Sequence, residues 1–114
     1  MQTLDRIKLK ANDRQAIEAA IRLLKQEYPI ESVILYGSKA KGTDDPESDI
    51  DLLLLTSREL SWRERDAITD ALYDIQLRYG VVISTLVVST SEWLEGRYSV
   101  LPIRDEVDRY GVAA

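Results

Sequence analysis

The sequence predicts an α+β fold with element order α-β-β-α-β-α-α, contained in a single domain over residues 1–114. Three observations carry that expectation. A segment of helical period opens the pattern, two apolar runs with a long polar loop between them follow, and the rest alternates capped helical segments with a third apolar run.

From Asn12 to Tyr28 the apolar positions Ala16, Ile17, Ala20, Ile21, Leu24 and Tyr28 recur at steps of three and four. Asn12 or Asp13 is available as N-cap, and Pro29 stops the helix. Ser32 to Tyr36 is β-rich and ends at Gly37, as a short buried strand would. A polar, non-helical turn is expected from Ser38 to Ser48, holding Gly42 and Pro46. It is long for a hairpin, which marks a functional loop. Asp49 to Leu55 reads as a second strand, apolar on both faces except at its start. Ser61 opens a helix with Glu64 three residues on, the spacing of a capping box, and Gly80 closes it. Its buried stripe is Ile68, Ala71, Leu72 and Ile75. Val81 to Val88 is a third strand, Ser91 a cap for a short helix carrying Trp93 and Leu94, and Leu101 to Tyr110 a last helix.

Composition narrows the chemistry. The 114 residues include neither cysteine nor histidine. Disulfides, thiolate metal sites, imidazole bases and Ser-His-Asp arrangements are excluded, leaving carboxylates, hydroxyls, amines and a hard cation. Twenty acidic and 15 basic residues give a net charge of −5, which argues against unassisted binding to long nucleic acid. No apolar stretch approaches the roughly 20 residues that span a bilayer. The first ten residues, MQTLDRIKLK, lack the apolar core of a secretion signal, so a cytoplasmic protein is expected.

Two features of the central segment, YGSKAKGTDDPESDIDLLLL, are expensive for a mere fold. A strand runs into Gly37-Ser38, where glycine lets the backbone approach a ligand and serine adds a donor. Lys39 and Lys41 follow as candidate positive charge toward phosphate. Then Asp49 and Asp51 stand two apart at the head of a leucine-rich strand, which places both carboxylates on one face. Two such carboxylates repel unless something positive lies between them, and magnesium takes oxygen ligands while leaving room for substrate phosphates. The pattern describes metal-assisted phosphoryl transfer.

Gly37-Ser38, ten intervening residues and Asp49-Ile50-Asp51 reproduce the GSx10DxD signature of the DNA polymerase β-like nucleotidyltransferases, which this chain resembles. GSKAKG looks like the GSRARG form, and ESDIDLLLL like the SDIDLLV continuation, of the minimal nucleotidyltransferase branch. The tail LPIRDEVDRYGVAA is similar to that branch's closing helix, with Asp105 and Tyr110 in place of its usual Asn and Glu. The resemblance implies a small mixed sheet with helices packed mainly on one face. It implies Mg2+, a nucleoside triphosphate such as ATP, and transfer of the monophosphate to a hydroxyl with release of pyrophosphate. Gly37 and Ser38 would bind the triphosphate, and Asp49 and Asp51 the metal. Minimal members commonly serve as antitoxins of helical HEPN-type ribonucleases, some of which they adenylylate on tyrosine.

The pattern breaks at one point. The family's third carboxylate lies on a later strand, yet Val81 to Val88 contains no acid, and Ser84 or Thr85 occupies the place. Asp74, on the preceding helix, is an outside candidate. Trp62 and Trp93 are candidates for base stacking, with core or interface packing as the commoner role, and Arg104 and Arg109 for contact with phosphate or partner. Three readings follow: an adenylylating antitoxin, a degenerate relative that neutralises its toxin by binding alone, and the catalytic subunit of a small-molecule nucleotidyltransferase. The sequence leaves self-association open.

Overall fold

A computed structural model describes residues 1–43 and 48–114. Pro46, read above as part of the polar turn, lies outside the described residues. The elements are β1 (Gln2–Thr3), α1 (Ala11–Glu27), β2 (Ile30–Tyr36), α2 (Ser38–Lys41), β3 (Ile50–Thr56), α3 (Trp62–Tyr79), β4 (Ile83–Ser89), α4 (Thr90–Glu95), α5 (Pro102–Tyr110) and β5 (Val112–Ala113), with single 3-10 turns at Leu4–Arg6 and Arg97–Val100.

The fold is α+β around a mixed five-stranded sheet of order β1-β5-β2-β3-β4. β2 and β3 are antiparallel, in a register that sets Tyr36 opposite Asp51. β4 runs parallel to β3, with Ser84 beside Asp51 and Thr85 beside Leu52. A parallel pair needs a crossover, and α3 supplies it. The two strands missing from the sequence-based order are β1 and β5, each two residues long and too short to show alternation. β5 nevertheless closes on β2, through Ile34 opposite Ala113 and Leu35 opposite Val112.

The leucine run of β3 is explained by burial on both sides. Ile50, Leu52 and Leu54 pack with Val33, Leu35, Ile17, Leu24, Ile68 and Leu72, under the long helices α1 and α3. Leu53 and Leu55 pack with Ile34, Val88, Trp93 and Val107, under the short α4 and α5. The two long helices thus share a face, while the short ones cover part of the other and leave its strand ends open to functional side chains. On the outer edge of β4, Arg65 donates to the Val87 carbonyl (2.7 Å) and the Ile83 amide to Gln76 (2.9 Å), which blunts edge pairing.

Several boundaries move. α1 begins after Lys10, which makes no side-chain cap bond. The expected caps are used elsewhere: Asn12 donates to the Tyr79 carbonyl (3.3 Å), and buried Asp13 pairs with Lys39. The cap of α4 is Ser89 rather than Ser91, because its hydroxyl accepts from the Glu92 amide. β3 starts at Ile50, with Asp49 just ahead of it. In α3, Ile68 and Leu72 are buried, whereas Ala71 and Ile75 are only partly so.

The start of α3 carries the expected capping box. Ser61 Oγ accepts from the Glu64 amide (3.2 Å), and Glu64 Oε1 accepts from the Ser61 amide (3.0 Å). Arg58 forks onto the same carboxylate at 3.0 and 2.7 Å. These bonds, Arg58 first, lower the Glu64 pKa to about 2. A depressed carboxylate favours the folded state above its unfolded pKa, so this support is complete at neutral pH and fades as pH falls toward about 2. We expect Ser61→Ala to lower stability by about 1 kcal/mol in thermal melts. NMR titration of Glu64 should then show only a small rise, because Arg58 and the residue-61 amide still bond its carboxylate.

Candidate nucleotide and metal site

The loop after β2 is not the irregular turn expected from the sequence: Ser38–Lys41 forms one helical turn. Gly37 makes this possible by adopting φ +74° and ψ −158°, a region essentially restricted to glycine. A Cβ built on Gly37 would overlap Asp51 Oδ2 and lie 3.3 Å from its Cγ. The backbone of the loop therefore rests directly against the carboxylate. The turn closes through the Lys41 amide to the Gly37 carbonyl (3.2 Å) and the Thr43 amide to the Ser38 carbonyl (3.1 Å), with Gly42 left-handed at its end. Its first amides have no carbonyl within the turn to bond, so they can serve phosphate oxygens.

On β3, alternation sends Asp51 to the face of Leu53 and Leu55, the side covered by α4 and α5. Tyr36 and Ser84 flank it on the neighbouring strands. Asp49 lies at the exposed strand entrance, and its Oδ2 accepts from the Ser84 hydroxyl at 3.2 Å. Burial raises the Asp51 pKa, and the negative charges of Asp49 and Glu106 raise it further. Burial, Asp51 and Glu106 likewise raise the Tyr36 phenol. Of the two hydroxyl residues left open by the sequence, Ser84 joins the aspartates. Thr85 is paired with Leu52, on the α1 and α3 side.

The two lysines separate. Lys39 is buried, with its Nζ 2.9 Å from Asp13 Oδ2, and anchors α2 to α1. Lys41 faces the open side, with its Nζ 2.6 Å from Glu106 Oε1 on α5 and 5.0 Å from the centre of the Tyr110 ring. The other candidates lie outside this constellation. Asp74 sits exposed on α3 near Leu23 and Arg78. Trp93 is in the core under Arg104, which also bonds the Trp93 carbonyl (2.7 Å) and Asp108 (3.0 Å). Trp62 is 68% exposed beside Arg63, and Arg109 pairs with Asp105.

The sequence reading missed Tyr36 and Glu106. Tyr36 was within reach, since an antiparallel pair joined by the loop places it opposite Asp51. Glu106 was not, because nothing in the charged string IRDEVDR says which acid turns inward. The donor set fits a hard divalent cation: it offers only oxygens, and burial, with the neighbouring charges of Asp49 and Glu106, disfavours an ionised Asp51 that such a cation would stabilise. Among the described residues, no third acidic residue joins the aspartates in a group able to hold a metal.

The family model "Polymerase beta, Nucleotidyltransferase" matches residues 18–95. Two proteins of Methanocaldococcus jannaschii, each named a putative protein adenylyltransferase, are similar in sequence. One is 36% identical over 80 residues, spanning 68% of this chain and 75% of its own. The other is 32% identical over 83 residues, spanning 73% and 77%. Among solved structures, a toxin–antitoxin with AMP-PNP superposes with a TM-score of 0.59 at 19% identity, over 87% of this chain and 69% of that one. A putative nucleotidyltransferase from Sulfolobus solfataricus superposes with a TM-score of 0.51 at 18% identity, over 90% and 75%. These two share the fold. The matched family model and the two sequence relatives agree, and the chain belongs to the polymerase β nucleotidyltransferase family.

Proposed function

We propose that this chain transfers AMP from ATP to a hydroxyl of a protein, a tyrosine of a HEPN-type partner, and so acts as the antitoxin of a toxin–antitoxin pair. The contact that carries this reading is Gly37 packed against Asp51, which sets a triphosphate-binding turn beside two carboxylates on one face. The names of the two sequence relatives favour a protein acceptor and an adenylyl donor. The toxin–antitoxin with AMP-PNP supports the biological setting.

In this reading the Ser38 hydroxyl and the first amides of α2 hold the triphosphate, and Lys41 adds charge from the end of the same turn. Asp49 and Asp51 would hold Mg2+, which when bound offsets phosphate charge and orients the triphosphate. The acceptor oxygen forms a bond to the α-phosphorus as the bond to pyrophosphate breaks, and pyrophosphate leaves with the bonding electrons. The acceptor's proton passes to a carboxylate of the site. The test incubates the protein with α-labelled ATP, MgCl2 and a HEPN-type partner. Label should appear on a partner tyrosine, and its absence under conditions where the partner is nevertheless neutralised would overturn the reading.

One observation favours the second reading, a binding-only antitoxin: Ser84 stands beside Asp51, on the strand where the family resemblance implies an acid. A hydroxyl is neither charged nor basic near neutral pH, so turnover with Ser84 should be slow. We expect Ser84→Asp to tighten Mg2+ binding and raise transfer about tenfold or more. Without divalent cation the same change should lower the melting temperature, because three carboxylates then face one another. Calorimetric Mg2+ titration and label transfer measure both effects.

A further inference from the structure

Lys41 ends the turn that begins at Gly37 and Ser38, on the side that faces α5, and in the proposed function its charge serves the triphosphate held by that turn. That ammonium is held by α5. Glu106 Oε1 lies 2.6 Å from Nζ, and the Tyr110 ring, one helical turn further on, lies beneath the same charge. The pair is partly open to solvent, with the Lys41 and Glu106 side chains 33% and 36% exposed. α5 is not free to drift, because Val107 is buried against Ile34 and Leu53. Glu106, carried by that anchored helix, presents its carboxylate to Lys41 and adds negative charge toward Asp51. A triphosphate arriving at Ser38 needs the Lys41 ammonium and is repelled by the Glu106 carboxylate.

The geometry points to an exchange: Lys41 passes from Glu106 to the phosphates when nucleotide binds, and Glu106 competes with the triphosphate for it. The C-terminal helix thereby sets nucleotide affinity. This rests on the nucleotidyl-transfer reading and adds a positioning residue to it. No covalent step is involved, since one charge-assisted hydrogen bond is traded for another.

The experiment measures dissociation constants for ATP with MgCl2, for wild type, Glu106→Gln, Lys41→Met and the double variant. Melting curves accompany each to verify folding. Glu106→Gln should bind ATP several-fold more tightly than wild type, and Lys41→Met more weakly. In the Lys41→Met background the glutamine should give little or no gain. Glu106→Ala repeats the measurement, because a glutamine oxygen can still accept from Lys41. Unchanged or weaker binding in both Glu106 variants overturns the exchange. An equal gain with and without Lys41 also overturns it, because that result is general relief of negative charge. If wild type fails to bind ATP, and loss of Asp49 and Asp51 changes nothing, the nucleotide reading itself falls. Binding that depends on the aspartates with the wrong Glu106 pattern sinks only the exchange.

Discussion

Replacing Asp51 by asparagine should abolish nucleotidyl transfer, by about 1,000-fold or more, while raising the melting temperature of the metal-free protein. Both effects come from one carboxylate. Loss of the charge-bearing group proposed to hold metal at the reacting centre should remove several kcal/mol of transition-state stabilisation, and about 1.4 kcal/mol is tenfold in rate. The stability gain follows from linkage. Burial, Asp49 and Glu106 raise the folded pKa of Asp51, so its ionised form is disfavoured in the folded state. Folding therefore weakens as pH rises through that pKa and recovers as pH falls below it. Asparagine keeps the shape and removes the charge. Its advantage in melting temperature should be present at neutral pH and shrink as wild-type Asp51 takes up its proton. Added Mg2+ should stabilise wild type and leave Asp51→Asn nearly unmoved. A variant that loses transfer without gaining metal-free stability would show that Asp51 is not the strained, cation-seeking group described here.

What the sequence made legible depends on how far each physical signal extends. The capping box of α3 needs only Ser61 and Glu64 at a fixed spacing, and the doubly buried β3 announces itself by unbroken leucines. Signals shorter than a period are lost. α2 is one turn of four residues, β1 and β5 are two residues each, and none can display a repeat. Missing α2 had a consequence for the site. In an extended loop, Lys39 and Lys41 would point the same way, and both were natural phosphate ligands. On a helical turn, residues two apart diverge by about 200°, so one faces Asp13 and the other α5. The choice between Ser84 and Thr85 was closed to sequence for a related reason. A one-residue change of register exchanges the two faces of a strand, and only the pairing of Asp51 with Ser84 decides it.

That divergence makes the second large prediction. Lys39→Met should cost about 3 kcal/mol or more in stability, a fall in melting temperature of roughly 10 °C or more for a chain of this size. The Asp13 side chain is 9% exposed, and its carboxylate would be left buried without the ammonium that now sits 2.9 Å away. Attraction in such a pair is largely consumed by desolvation, but removing one partner exposes the whole penalty of the other. The double change Lys39→Met/Asp13→Leu should therefore recover much of the loss. Lys41→Met provides the opposite pattern. Its ion pair with Glu106 is partly open to solvent, where such pairs contribute little. It should melt close to wild type and be impaired chiefly in ATP binding. Measured side by side, the two lysines separate support of the loop from recognition of its ligand. If Lys39→Met instead melted like wild type and lost ATP affinity, the ammonium would belong to the nucleotide site, and the anchoring of α2 through Asp13 would be incidental.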